Sequence, residues 1–372
     1  MATLTRTQLR RALGVRTGQP YFRRFGNGAG EASANGTTTT LIDTVRLKEE
    51  DNYWRGSFIY FPDTDEIREI SGFTNSTSTV TWLAPIGTAD TVADGEPYEI
   101  WSQFTPDQIH DAINHALLQA WPNLFMTGNN EDLALVDGGG LRYTLPTTDE
   151  IRRLCSVYLT LYQSRATGSI TTEGTTTQII DSGASFVAAD VGRFIAVYKD
   201  GATANGEIRE ISVRDSATQV TVSAAFSEAV PEGAKYRILD KEDTTPQILP
   251  ITNAIADKVE FPTELWFGSH PAGFEGYPLY LVYEFEYPKL TTEAGTTTCP
   301  EEYIYAMAMA YIYMLKMATA PSVEVPTWEA MFKAAAAMGE VYVRTHRMAH
   351  LPVMRIDHQS YMSSVPSDYP FR

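Results

Sequence analysis

The sequence predicts an α+β protein: a discontinuous helical-bundle core, two duplicated small β-barrel or sandwich insertions, and an extended C-terminal arm. Three observations carry that prediction. The chain repeats itself, capped amphipathic segments flank both copies, and the segment 351–372 holds three prolines without any periodicity. At 372 residues the chain exceeds the size of one ordinary core, so more than one domain is expected.

The repeat is the strongest signal. GTTTTLID at 36–43 returns as GTTTQIID at 174–181, and EIREIS at 66–71 returns unchanged at 207–212. Val80-Thr81 matches Val220-Thr221, and Gly95…Tyr98…Ile100 matches Gly233…Tyr236…Ile238. The offsets are 138, 141, 140 and 138 residues, a drift that length changes in hairpin turns produce. Each copy reads as short Thr-rich and β-branched strands between turn residues, which fits a small barrel or sandwich. In EIREIS the isoleucines stand three apart, so the strand needs a bulge or a two-sided environment. Its two copies offer either a shared ligand site, through Arg68/Glu69 and Arg209/Glu210, or duplicated ladder pairs; the ladder reading is preferred.

Helices are predicted around the copies. The first runs from about Thr5 to Leu13. Thr105-Pro106-Asp107-Gln108 supplies an N-cap, a first-turn proline and a capping-box partner, followed by Ile109, Ala112, Ile113, Ala116, Leu117, Ala120 and Trp121 at helical spacing. Thr147…Glu150 is read as the cap of a second, carrying Ile151, Leu154, Cys155, Tyr158 and Tyr162. Thr298…Glu301 is read as the cap of a third, and Pro326-Thr327 introduce a fourth that ends near Pro352. Between them, LALVDGGGLRYTL is read as a hairpin turning on Gly138–Gly140, and YPLYLVYEFEYP as an alternating strand. The helical core is thus expected in 1–24, 103–167 and 298–350, the β modules in 36–101 and 170–240, an extended joining segment in 245–295, and the arm in 351–372.

Charge and motifs exclude much. Asp and Glu number 46 against 29 Lys and Arg, a formal −17, which argues against general nucleic-acid binding. Residues 1–30 carry six arginines and no acid, so removing that +6 leaves −23 on the rest. Arg10 and Arg11 in this segment are therefore docking candidates. Two cysteines, Cys155 and Cys299, point to a reducing compartment, and the N-terminus lacks a secretory apolar stretch. The run YIYAMAMAYIYMLKMATA, flanked by Glu301 and Glu302 and broken by Lys316, is read as a buried helix rather than a membrane span.

No phosphate loop, nucleophile elbow, HExxH or CxxC is present. Gly26-Asn27-Gly28-Ala29-Gly30 is read as a flexible linker. His346 and His350 have the i,i+4 spacing of a metal pair, but Arg347 lies between them and the base of a zinc protease is missing. His110 and His115 do not share a helix face. Asp149 and Glu150 are read as cap residues, and Glu49, Glu50 and Asp51 as a solvated turn. No catalytic residue, cofactor or metal is expected.

The order of parts resembles the head-to-tail adaptor (connector) proteins of tailed bacteriophages. FTPDQIHDAINHALLQAWPNLF resembles their acid-led amphipathic helix, and TLPTTDEIRRL their turn-helix entry. YLVYEFEYPKLTT…CPEEYIYAMAMAYIYML is similar to their closing strand, proline, acidic linker and Ala-rich helix. The resemblance implies a virion structural protein made in the host cytoplasm and placed at the head-tail junction. It implies a self-assembled ring, a dodecamer matching the portal protein, through which DNA passes without sequence-specific binding. The arm would dock on the portal or a neighbour through Arg355, Tyr361, Tyr369 and Phe371. The β modules would face tail, nozzle or fibre proteins, with no membrane involved. Two other readings stand beside it. One is a tail-associated receptor- or glycan-binding protein stacking sugar on Trp54 and Trp82, although the second module offers only Phe186 and Val222 there. The other is a cell-wall glycan hydrolase using two carboxylates, a pair that leaves little trace in sequence.

Overall fold

The computed structural model describes residues 3–350, except 27, 87–90, 135–141, 146–150, 199–205, 241–246, 252–253, 257–261, 263 and 268–273. The chain divides into two compact units, one of residues 1–125 and 287–348, the other of residues 126–286 and those after 348.

In chain order, β1 (Leu4–Thr5) leads into α1 (Arg6–Arg16) and α2 (Pro20–Phe25). Then come β2 (Gly30–Glu31), β3 (Ala34–Thr37), β4 (Thr40–Ile42), β5 (Phe58–Phe61), β6 (Glu66–Thr74), β7 (Thr79–Trp82) and β8 (Pro97–Trp101). After α3 (Pro106–Ala120) the chain is strand-rich: β9 (Met126–Ala134), β10 (Arg142–Thr144) and β11 (Arg153–Leu161). The second copy supplies β12 (Ser164–Ser169), β13 (Gln178–Ile180), β14 (Phe194–Tyr198), β15 (Glu207–Arg214), β16 (Gln219–Val222) and β17 (Lys235–Leu239). β18 (Gln247–Pro250), β19 (Ala254–Ala256), β20 (Glu264–Phe267), β21 (Pro278–Phe285) and β22 (Thr296–Thr297) precede α4 (Glu301–Thr319) and α5 (Val325–His346).

Both repeats are closed β-barrels of the same design. In the first, the strand order is β2-β8-β5-β6-β7-β4-β3, and only Ala32 and Ser33 separate the two end strands β2 and β3. One stretch of chain therefore pairs with β8 through Gly30↔Tyr98 and with β4 through Ala34↔Ile42, closing the sheet. The second follows the order β12-β17-β14-β15-β16-β13, and the bridge Thr172↔Ile180 closes it at the position of Ala34↔Ile42. Closure leaves no free sheet edge. The EIREIS strands cross from one half of each barrel to the other through a register shift, between Ile70 and Gly72 and between Ile211 and Val213. The three-residue isoleucine spacing precedes that bulge and reflects a two-sided environment: Ile208 packs with Ala196 and Leu239 on one face, Ile211 with Val220 and Ile238 on the other.

A predominantly β architecture replaces the expected helical-bundle core. The described residues hold five helices against strands in several antiparallel sheets, and none of the described residues of 126–167 is helical. Residues read as the second capped helix form the strand β11, which pairs with β18 and β21. Leu154, Cys155 and Tyr158 had looked helical because a register shift at Cys155 breaks the strand's two-residue alternation. The buried side then continues at Val157 and Leu159. The proposed cap, Asp149 and Glu150 included, and the turn Gly138–Gly140 lie outside the described residues. The strands flanking that turn do not form a hairpin: β9 pairs with β21, and β10 with β20.

The other expected helices are present, although α5 ends at His346 rather than near Pro352. Thr5 and Thr105 form capping boxes with Gln8 and Gln108. α4 begins after Pro300, without the side-chain cap assigned to Thr298. α4 packs between α3 and α5, and α1 touches α3 and α4. The glycine stretch after α2 is no simple linker, because Gly30 is a barrel residue whose missing side chain makes room for the Tyr98 ring. Gly168 does the same for Tyr236 in the second copy.

Candidate functional site

In the first unit, α1 lays its arginines against the outer face of the first barrel. Arg10, with no exposed surface, reaches Glu99 of β8 with Nε and Nη2, both at 2.9 Å. Its Nη1 donates to Glu293 and lies 3.1 Å from His110 Nε2 of α3. Arg11 Nε donates to Glu99 at 2.6 Å and Arg6 pairs with Glu293 at 2.7 Å. Tyr60 Oη, from β5, donates to Glu293 at 2.9 Å or Asp65 at 2.7 Å, and Trp101 Nε1 donates to Glu99 at 3.2 Å.

The titration of this cluster follows from its surroundings. Burial favours a neutral Glu293, but hydrogen bonds and charge from Arg10, with Thr7 and Tyr60, outweigh it and hold the carboxyl at about 2. Burial, then Arg10 and Arg6, push His110 down to about 4. A neutral His110 accepts the Arg10 proton at Nε2, so its 3.5 Å approach to Glu293 is not an ion pair at pH 7. Burial lowers the Arg10 value, yet Glu99 and Glu293 raise it further, so Arg10 stays charged.

Asp65, His110 and Glu293 have ligand atoms close enough to hold a metal ion. The residues around them do not fit one. Arg10 and Arg6 already supply two positive charges to Glu293, and Arg6 also pairs with Asp65 at 3.6 Å. A cation would have to displace both guanidiniums. The cluster is a structural clasp between α1, α3 and the barrel.

The expected docking arginines are thus internal. Arg10 is buried and Arg11 is bound to Glu99. Arg24 pairs with Glu49, and Arg16 lies over the Tyr305 ring at 4.1 Å. The basic segment meets glutamates of its own chain. Glu49, read as part of a solvated turn, is buried and accepts from Trp54 Nε1 at 3.0 Å. Arg355, Tyr361, Tyr369 and Phe371 lie outside the described residues.

Duplicated EIREIS arginines do duplicated structural work. Arg68 bridges the Ala84 and Ile67 carbonyls and Glu66; Arg209 bridges the Ala225 and Ile208 carbonyls and Glu207. Tyr98 donates to Asp43 at 2.6 Å and Tyr236 to Asp181 at 2.8 Å, all four buried. Trp54 and Trp82 are core residues, 1% and 3% exposed, so neither offers a platform for sugar. His115 packs tilted against Tyr311, and His346 stacks on Tyr342, ring centroids 4.2 Å apart.

The sequence reading missed Glu99 and Glu293. For Glu99 a signal existed: an acid inside PYEIW, between apolar residues of a strand. The second barrel carries Arg237 at that position, where it donates to the Glu275 carbonyl at 2.8 Å and lies over the Tyr277 ring.

A second feature is the exposed side of α5. Successive helical residues turn by about 100°. Trp328, Phe332, Ala335, Gly339 and Tyr342 therefore share one side, at which Trp328 meets Tyr313 and Gly339 abuts Met307 of α4. Adjoining that side, about 100° round the helix, Met331, Ala334, Met338 and Val341 carry the apolar surface on into solvent, with Met338 56% and Val341 58% exposed. Glu329, Lys333, Glu340 and Arg344 form a charged strip on the remaining side.

No family model matches the chain, and no curated protein matches it. Among solved structures, the phage phi92 endosialidase is similar over 60% of this chain, at 10% identity and a TM-score of 0.15. The aligned part spans 31% of that protein, and a similarity this slight carries no argument. Among the described residues, no helix is long and apolar enough to cross a membrane.

Proposed function

We propose that the chain is a virion structural protein of a tailed bacteriophage, an adaptor ring joining the portal vertex to the tail and lining the DNA passage. The observation that carries this reading is the apolar surface that α5 leaves in solvent. A helix whose apolar surface runs on from the side packed on α4 into an exposed stripe of alanine, methionine and valine is built for another protein chain, here a neighbouring copy. The clasped helix–barrel junction and the closed barrels supply rigid parts, as repeated assembly through one heterologous contact requires. The acidic balance of −17 suits a conduit wall that repels passing phosphate.

Mass photometry of the protein, alone and with purified portal particles, tests the reading. A discrete multi-copy species that forms with the portal supports it. A protein that never engages the portal refutes it.

A further inference from the structure

We propose that a basic patch on the first unit, formed by Arg23 and Arg24 of α2 with Arg46 and Lys48 of the loop after β4, docks on a second copy of this chain at the face that holds Asp65, Asp107 and Asp111. The inference rests on the adaptor reading, for which it supplies a contact between copies. Phe25 is the half-buried centre of the patch: the Arg24 guanidinium lies 5.3 Å from its ring centroid and that of Arg46 5.7 Å. Arg46 Nη1 also donates to Tyr21 Oη at 3.4 Å and to the Gly28 carbonyl at 3.5 Å, and Lys48 Nζ donates to the Thr44 carbonyl. These acceptors are neutral. Among the described residues the carboxylate that meets the patch is the buried Glu49, which is taken up by Arg24 and by Trp54 Nε1. Arg23, Arg46 and Lys48 are thus cations without a carboxylate on a chain whose formal charge is −17.

The complement stands on the same unit. Asp107 and Asp111, one turn apart on α3, are exposed, and the Asp65 side chain is 56% exposed. Burial, then the charges of Asp65 and Asp111, raise the Asp107 carboxyl above its ordinary value, and Arg6 opposes them. Helix α1 keeps the two patches apart. Asp65 meets Arg6, its first residue, while Phe22 of α2 packs at Gly14 in its last turn, about 12 Å further along the axis. A patch of one sign repels the same patch on a twofold-related copy. Patches of opposite sign attract when copies stack head to tail, which is the heterologous contact that closes a ring. The exposed surface of α5 supplies apolar area, and the charges set the direction. Nucleic acid is the poorer fit. Three such cations fall short of the roughly six to ten phosphate contacts of a strong DNA-binding surface, on a chain whose net charge repels phosphate.

Mass photometry of the full chain, alone and with portal particles, tests this with two charge reversals, Arg23→Glu/Lys48→Glu and Asp107→Lys/Asp111→Lys. Each reversal weakens self-association by about tenfold or more. An equimolar mixture of the two restores it, because the reversed patch of one variant meets the reversed face of the other. Circular dichroism confirms that the variants fold; where a reversal does not, Asp107→Asn/Asp111→Asn gives a smaller loss in the same direction. Variants that assemble like the wild type, or a mixture that restores nothing, overturn the proposal and leave the adaptor reading standing. A wild type that never assembles, alone or on the portal, refutes both.

Discussion

Arg10 makes sense only with its partners in view. Its guanidinium meets Glu99, Glu293 and His110 with no exposed surface, so removing it takes a cation from buried Glu99 and from Glu293 and leaves them only Arg11 and Arg6. Arg10→Met is expected to cost about 3–5 kcal/mol in urea unfolding, the range for breaking a buried charge pair from one side. His110 gives the same cluster a pH signature. Its folded value of about 4 lies below the ordinary 6.5, so between those values the unfolded chain holds a proton that the folded one refuses. Stability therefore falls as the pH drops from 6.5 towards 4, by up to about 3 kcal/mol. Glu293, held at about 2 against an ordinary 4.5, stabilises above 4.5 and loses that contribution as the pH falls towards 2. His110→Gln keeps an acceptor for Arg10 and cannot take up the proton, so its stability should vary less between pH 7 and 4.5 than the wild type's. An unchanged slope in that window would sink the assignment. The arginine cluster of residues 1–30 was visible in the sequence. Its acids lie 88 and 283 residues away along the chain (Arg11 to Glu99, Arg10 to Glu293), beyond the reach of local pattern.

At the scale of the element, local chemistry explains what was legible. Thr5 and Thr105 cap their helices because cap and partner are three residues apart, a relation that survives any tertiary context. β11 was misread because its bulge at Cys155 shifts the buried positions out of alternation and makes them imitate a helical face. The repeats were legible as modules because their structural bonds repeat. Tyr98→Phe and Tyr236→Phe each remove the hydroxyl donated to a buried aspartate and are expected to cost about 1–3 kcal/mol each. Similar losses in the two variants would confirm equivalence, and a neutral result in either would deny it. For α5, Met338→Asp places a charge in the exposed stripe without touching the packed side. It is expected to weaken self-association by about tenfold or more while leaving the thermal midpoint of the monomer within a few degrees. Unaltered assembly would remove this stripe from the interface.

The whole molecule combines one design used twice with two different settings. In the first unit Glu99 of the barrel takes up an arginine from α1. In the second, Arg237 at the same barrel position meets the Glu275 carbonyl and the Tyr277 ring. The duplication revealed the barrels, while the charge inversion at their docking faces depends on segments remote in sequence and stayed hidden. The net charge also changes meaning: four of the six N-terminal arginines, Arg6, Arg10, Arg11 and Arg24, bind their own chain at Glu99, Glu293 and Glu49. Deleting residues 351–372 is expected to abolish capture by the portal in co-sedimentation while circular dichroism stays unchanged; retained capture would exclude the arm. Electron microscopy of the full chain mixed with its portal particles tests the adaptor reading most directly. A closed ring of copies seated coaxially on the portal is the expected image, and a trimeric spike or bare portals beside free monomers would contradict it.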